Sequence, residues 1–449
     1  MKQDISFTEG RIMRPLILFA GPVLFALFLQ AMYGAVDLLV VGWFATSADV
    51  SAVSTGSQIM TTLTSMVSSF AMGTTILLGQ QIGSGKKEEG GKTVGTAILM
   101  FGIISCLASL LFVLFAPQIS GIMQAPEEAF DKTVEYVRIC GGGMVVIVAY
   151  NLIGCIFRGI GDSRTPLLTV GIACACNIVG DLILCGLLRM GTCGAAIATV
   201  FAQVVSVLVS FGMIRKKELP FKFGKGNLRI HGVYLKKMIG LGAPIALQDL
   251  LVSFSFLIIL AIVNSMGLVA SAGVGVAEKV CAFIMLISIA FMQSMSAFVA
   301  QNYGAGKMDR ARKALFGGVI LSGSIGVLMF LATFFGGNHM AGIFSSDSQV
   351  VAAAADYLKA YAIDCMFTAI FFCFTGFYNG IGMTKFVMIQ GIIGALGVRV
   401  PVSYIMSRLP QTSLFKIGLA TPMSSLVQLL LCLSYYLILR KKQKNKGDL

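Results

Sequence analysis

Five acidic residues stand inside long apolar runs: Asp37, Asp181, Asp249, Glu278 and Asp364. An ionised carboxylate at the centre of such a run costs roughly 2.5–3.5 kcal/mol on insertion scales, so each needs a reason to be there. Asp37 is set among Val36, Leu38 and Leu39. Asp181 follows Asn177 by four residues, which puts both side chains on one helical face. A carboxylate, an amide oxygen and a hydroxyl are hard oxygen donors that together suit Na+. A buried carboxylate can instead carry a proton. The residue types leave both chemistries open. Gln248 and Asp249 follow Pro244 by one helical turn, where a loosened backbone lets them face a cavity and attract a cation. Glu278 adjoins Lys279, which suits an internal ion pair as well as a substrate contact. Arg399, beside Pro401, is expected to partner one of these acids or to make a contact that stabilises its lobe.

The elements that position these residues are membrane-spanning helices. Hydrophobic residues make up 57% of the 449 positions and charged residues only 12%, with mean hydropathy +0.87. A soluble domain carries roughly 25% charged residues, so a chain this poor in charge needs lipid as its solvent. Apolar runs predict twelve spans, six at 15–44, 51–79, 93–116, 131–156, 165–188 and 191–214. The other six are 237–264, 270–300, 310–336, 351–380, 385–408 and 413–440. With the N-terminus placed inside, the inner connectors and the tail from Arg440 hold 26 of the 34 basic residues, starting from Lys2, Arg11 and Arg14. This asymmetry predicts both termini on the cytoplasmic side of the inner (cytoplasmic) membrane. It also accounts for the net charge of +14 without a nucleic-acid partner.

Several other chemistries are excluded. Nearly all of the eleven cysteines lie within apolar stretches and match no zinc spacing, so they read as small buried hydrophobes. His231 and His339 are the only histidines and both fall in connectors, so no catalytic constellation appears and an enzyme is not expected. The first apolar run, from Pro15, is too long for a signal-peptide core.

The chain repeats itself. Gln80-Gln81-Ile82-Gly83-Ser84-Gly85-Lys86 recurs 221 residues later as Gln301-Asn302-Tyr303-Gly304-Ala305-Gly306-Lys307. Arg158-Gly159-Ile160-Gly161-Asp162-Ser163-Arg164 recurs at the same offset as Asn379-Gly380-Ile381-Gly382-Met383-Thr384-Lys385. Neither Gly-Lys loop has the first Gly of a phosphate-binding Walker loop, since Gln80 and Gln301 stand there, so an ion gradient and not ATP is the expected energy source. Six spans per half is an even number, so the halves are parallel repeats related by a pseudo-two-fold axis along the membrane normal. The expected organisation is an all-α polytopic protein with an N-terminal lobe at 1–214, a cytoplasmic linker at 215–236 and a C-terminal lobe at 237–449.

The paired Gly-x-Gly-Lys loops and the Arg158 to Pro166 motif resemble the multidrug and toxic compound extrusion (MATE) family. So do Gly21-Pro22 followed by Gln30, Asp37 and Gly42, and the Gly194-Ala195-Ala196-Ile197-Ala198-Thr199 segment. The likeness runs from about residue 10 to 440. It implies a V-shaped pair of six-helix bundles that exports amphipathic, often cationic, compounds in exchange for Na+ or H+, with no cofactor and as a monomer. It also implies an ion or proton site at Asp37, Asn177, Asp181 and Thr199, with Na+ there if a metal ion is the driver. Gln30, Gln248, Asp249 and Glu278 are the candidates for the substrate pathway. The family's NorM branch carries a glutamate eight residues after the seventh-span proline; counting from Pro244 gives Val252. Asp364 also misses that branch's spacing, so the chain is more similar to the DinF-like and MepA-like branches. A lipid or lipid-linked-sugar flippase of the wider superfamily is the alternative, and the membrane-embedded acids argue against it.

Overall fold

A bilayer interior offers no partner for a backbone N–H or C=O, so the spanning segments satisfy themselves as helices. The computed structural model describes residues 7–447, which leaves Lys2 outside the described residues. In chain order the spans are α1 (Met13–Phe44), α2 (Ser47–Gly83), α3 (Lys87–Leu114), α4 (Glu127–Gly142 continued by Met144–Ile160), α5 (Arg164–Leu187) and α6 (Gly191–Lys216). They continue as α7 (Gly232–Asn264), α8 (Leu268–Gly304), α9 (Met308–Gly342), α10 (Ser348–Gly380), α11 (Thr384–Ser407) and α12 (Leu414–Lys442). Eleven of these are long and apolar enough to cross a membrane as single helices. The twelfth, α4, is bent by 54° at Gly143 and spans only as a pair. The outward faces are apolar, as lipid requires: Leu107, Leu110 and Leu114 on α3, Ile320, Leu328 and Phe335 on α9.

The chain packs as two compact units. Unit 1 takes Ile17–Ala243 and unit 2 takes Phe7–Leu16, Pro244–Tyr303 and Lys307–Leu449. Unit 1 sets α2 against both parts of α4 and α5 beside α6, over a core of Val53, Phe101, Tyr136, Val137 and Met144. Unit 2 sets α10 between α9 and α12, over Val263, Val274, Tyr357, Leu358 and Tyr361.

The sequence repeat is a repeat of backbone geometry. Gly85 and Gly306 both take left-handed conformations, with φ of 72° and 71°. Gly161 and Gly382 do the same at 87° and 83°. In each pair the following residue donates its N–H to the carbonyl five residues back: Lys86 to Gln81, Lys307 to Asn302, Asp162 to Phe157 and Met383 to Tyr378. These are helix C-caps that L-residues with a Cβ adopt only under strain, which is why Gly recurs there. The fifth span of each half also carries a π-helical stretch, Leu182–Leu187 in α5 and Ile393–Arg399 in α11.

The connectors are tied down inside each unit. In unit 1 the segment after α6 lays Phe221 into an apolar pocket with Leu78 and Val94. It then runs so close to α3 that a Cβ on Gly95 would sit 1.9 Å from the Asn227 carbonyl oxygen. In unit 2 the Arg310 guanidinium donates to the carbonyls of Phe7, Glu9, Gly10 and Arg11, which lead into α1.

Asp162, in the connector before α5, accepts from the backbone amides of Arg164 and Thr165, from the Thr165 hydroxyl and from the Lys217 ammonium at the end of α6. Burial alone would raise its pKa, but the Lys217 ammonium and the Thr165 donors outweigh it and hold the carboxyl below its ordinary value of 3.8. A carboxyl depressed in the folded state stabilises the fold above pH 3.8 and loses that contribution as pH falls through its lowered value. Melting midpoints of Asp162→Asn should therefore lie below those of the unaltered protein at pH 6, and the gap should close below about pH 4. An equal gap at both pH values would contradict the assignment.

Candidate functional site

The residues singled out on α1, α5 and α6 meet at one place in unit 1. Asp37, Asn177 and Asp181 are 3%, 1% and 0% exposed. The approach of α5 and α6 is set by small residues. A Cβ on Gly180 of α5 would stand 3.0 Å from the Ala198 Cβ on α6, and one on Gly194 would stand 3.1 Å from the Cys185 sulfur. Side chains of that size allow backbones to pack closely in lipid. The consequence is that Asp181 and Thr199, each one residue from that contact, come to the same level as Asp37.

A short chain of donors runs through the cluster. Asn177 Nδ2 donates to Thr199 Oγ1 at 3.5 Å, and Thr199 Oγ1 donates to Asp37 Oδ2 at 3.3 Å. The chain stops there. Asp37 Oδ1, Asn177 Oδ1 and both Asp181 carboxyl oxygens are buried and receive no donor. Asp37 and Asp181 nevertheless lie within hydrogen-bonding reach of one another. Neither carboxyl belongs to any of the ion pairs among the described residues. Two unit charges about 4 Å apart repel by about 4 kcal/mol at an effective dielectric near 20. A proton shared between the carboxyls, or a cation between them, removes that repulsion. The free donors are all oxygens, from two carboxyls, an amide and a hydroxyl, and such a set fits a hard monovalent cation as well as a proton. No group of three or more His, Cys, Asp and Glu converges among the described residues, which leaves transition-metal chemistry without a ligand set.

Around the cluster stands a shell of aromatic and thiol groups. Tyr136 and Cys140 of α4 are buried, and both feel the Asp37 charge. Tyr33, one turn before Asp37, lies beside Gln203 of α6. Gln30, a further turn away, donates through Nε2 to the Tyr150 hydroxyl at 3.0 Å.

A family model described as MatE matches residues 22–183 and again 244–405. The chain belongs to the MatE family. The two matched segments contain both copies of the repeated loops and, in the first, Asp37, Asn177 and Asp181. The probable multidrug resistance protein YoeA of Bacillus subtilis is 26% identical over 445 residues, covering 97% of this chain and 96% of its own. The multidrug export protein MepA of Staphylococcus aureus is 24% identical over 408 residues, covering 90% and 89%. Among solved structures, a MATE protein in complex with MaL6 superposes with a TM-score of 0.92 at 17% identity, over 99% of this chain and all of that one. A MOP superfamily transporter from Pyrococcus furiosus superposes at 0.91 with 18% identity, over 97% of each. The fold is therefore the two-lobed, twelve-span MATE arrangement, and the chain falls with the MepA-like branch. It is a transport protein and not an enzyme.

The remaining MatE-chain residues named from sequence lie in unit 2 and are more scattered. Gln248 of α7 lies against Gly391 of α11, where a Cβ would meet its side chain at 2.6 Å. Asp249 is half-buried on α7. Glu278 is half-buried on α8, near Cys281 and Tyr357. The ion pair imagined between Glu278 and Lys279 does not form among the described residues: neighbours on a helix point about 100° apart. Asp364 is buried and accepts from Thr368 at 2.9 Å. Arg399 attracts Asp364 electrostatically, but its guanidinium donates to the Ser255 hydroxyl at 3.1 Å and stacks 4.3 Å over the Phe256 ring.

Asp49 escaped the sequence reading because it sits at the edge of a span. It is 7% exposed, pairs with Lys132 at 2.8 Å and accepts from the Thr192 hydroxyl at 2.9 Å, so it joins the starts of α2, α4 and α6. The Thr46-x-x-Asp49 spacing of a capping box was the available signal.

The repulsion between Asp37 and Asp181 has a direct consequence for stability. A cation that occupies the folded site alone stabilises it by about 2.7 kcal/mol at a hundredfold excess over its Kd. Supplying the coupling cation should therefore raise the melting midpoint of the unaltered protein, read with a thiol-reactive dye as buried cysteines open. Asp181→Asn should melt at least as high in cation-poor buffer and show no further rise. A full cation-dependent rise in Asp181→Asn would place the cation elsewhere.

Proposed function

We propose that this chain is a secondary active antiporter that exports amphipathic, often cationic, small molecules across the cytoplasmic membrane in exchange for Na+ or H+. The observation that carries the reading is the pair of facing carboxyls, Asp37 and Asp181, which between them receive one donor, the Thr199 hydroxyl, and lie beside Asn177 deep in a membrane-spanning bundle. The names of the relatives, a multidrug resistance protein and a multidrug export protein, support the class of cargo. No cofactor is needed, and the chain works as a monomer with both termini in the cytoplasm, its lobes at 1–214 and 237–449 joined by the linker at 215–236.

In this mechanism the cation arrives at Asp37 and Asp181 and cancels their repulsion, so α1 and α5 draw together. The energy of that closure is the coupling: reshaping of these helices releases the cargo outward, and loss of the cation to the cytoplasm resets them. Gln30 stands two turns from Asp37 on the same helix and is the first candidate to sense the change, through its bond to Tyr150. Gln248, Asp249 and Glu278 are the candidate contacts for cationic cargo in the other lobe. Carboxylates there attract a lipophilic cation, and apolar walls accept its rings.

Proteoliposomes loaded with the protein decide the matter. A dye-like cationic substrate should accumulate when a Na+ or H+ gradient is imposed, and accumulation should collapse with the gradient. Asp37→Asn and Asp181→Asn should each abolish accumulation driven by the gradient while leaving the protein folded. Undiminished accumulation in Asp37→Asn would remove the assignment, and running the two gradients separately identifies the ion.

A further inference from the structure

We propose that unit 2 holds a binding site for the headgroup of an anionic phospholipid, at the bundle end that carries the loops before α9 and α11. A cavity of about 80 Å³ opens there, lined among others by Met308, Arg312, Phe377, Met383, Tyr436 and Arg440. A single water needs about 10–15 Å³ of such space, so the cavity has room for a phosphodiester and the first atoms of its esters.

The lining is divided by chemistry. Arg312 comes from the second turn of α9 and Arg440 from the end of α12, and their guanidiniums are the charged groups of the cavity. A guanidinium presents paired donors that match phosphate oxygens in a fork. The opposite wall is hydrocarbon and aromatic. Tyr436 is fixed in place by ring contacts with Phe316, Phe374 and Phe377, at centroid separations of 5.7, 6.1 and 6.2 Å. A rigid wall costs little ordering entropy on binding. The apolar surface also continues away from the charges. Phe316, in contact with Tyr436, is 49% exposed, and Ile320 one turn further along α9 is 71% exposed. A cavity lined by two arginines, with an exposed apolar strip of a spanning helix packed against its Tyr436, fits a lipid phosphate with its acyl chains beside it.

Arg312 already pairs with Asp309 at 3.2 Å, but the Asp309 side chain is 90% exposed. An exposed pair of this kind contributes only about 0.2–1 kcal/mol, so a phosphate in the cavity competes with it readily. The basic residues Lys441 and Lys442 follow Arg440 and are exposed. They add a diffuse attraction to an anionic surface, distinct from the built pocket. Placing the site in the cytoplasmic leaflet rests on the orientation proposed above; the pocket itself does not, and lipid binding is read without any transport.

The test uses the full chain, purified in detergent, stripped of lipid and titrated by native mass spectrometry. Phosphatidylglycerol should bind more tightly than phosphatidylcholine to the unaltered protein. The double variant Arg312→Gln/Arg440→Gln should lose about 30-fold in phosphatidylglycerol affinity, about what two basic contacts with an anionic lipid contribute. Lys441→Gln/Lys442→Gln removes the same charge outside the cavity and should lose far less. Met383→Trp keeps both arginines but fills the cavity, and should lose the preference too, which guards against a double variant that fails to fold. Equal binding of the two lipids, or an equal loss in the tail variant, overturns the proposal. Displacement of phosphatidylglycerol by inorganic phosphate at the same concentration would also overturn it, by making this a free-phosphate site.

Discussion

Two facing carboxyls that receive a single hydrogen-bond donor between them, the Thr199 hydroxyl, are the constraint on which unit 1 turns. Packing that has nothing to do with charge, Gly180 against Ala198 and Gly194 against Cys185, brings α5 onto α6, whose Thr199 hydroxyl donates to Asp37. Packing forces the acids close, and the low dielectric of the interior makes that closeness unfavourable unless a positive charge joins them. The site therefore has two states of different energy built from one arrangement of helices. A transport cycle requires such a bistable element, and the proposed antiport would use a cation as its switch.

The backbone around this pair is irregular where it can afford to be. Asp181 is followed at once by the π-helical stretch Leu182–Leu187, and Arg399 ends its counterpart in α11. A π-turn shifts the register of the side chains beyond it and leaves carbonyls less firmly bonded, which lipid would punish but a protein interior tolerates. Cys185, inside the first stretch, is fully buried and directs its thiol to the Gly191 carbonyl at 3.3 Å. The bend at Gly143 follows the same rule, since a Cβ there would collide with Val200 of α6 at 2.7 Å. At Cys185 and at Gly143 the departure from a straight helix is covered by α6.

Much of this was legible in the residues alone. Apolar length gave the spans, because a bilayer leaves no other solution, and the Gly-x-Gly-Lys loops announced their left-handed glycines and their repetition. Asn177 and Asp181 were readable as a pair from their spacing. What spacing could not supply was the third dimension. Nothing in the local sequence says that Tyr136 and Cys140 would stand beside Asp37, that α4 would break at Gly143, or that Asp49 would bridge three helices through Lys132 and Thr192. These depend on contacts between segments separated by many residues, which one sequence does not encode in any periodicity. Arg399 shows the limit from the other side: a buried cation invites a carboxylate partner, yet an aromatic face and a hydroxyl meet it first.

The repeat makes the difference between the units informative. Both carry the same capped loops and a π-stretch in the fifth span, so they share a framework. Their buried charges do not match. Besides Asp49, which pairs with Lys132, unit 1 buries two acids that face each other and pair with no cation among the described residues. Unit 2 buries one acid, Asp364, bonded to Thr368, with the guanidinium of Arg399 attracting it from within the same unit. A carboxyl that already feels a permanent positive charge has less to gain from a mobile one, because the desolvation of the anion is partly offset before any ion arrives. A carboxyl pair with no such charge gains the full amount. Two bundles of common framework thus differ in how far their buried charge is compensated from within, and a mobile cation has more to offset in unit 1.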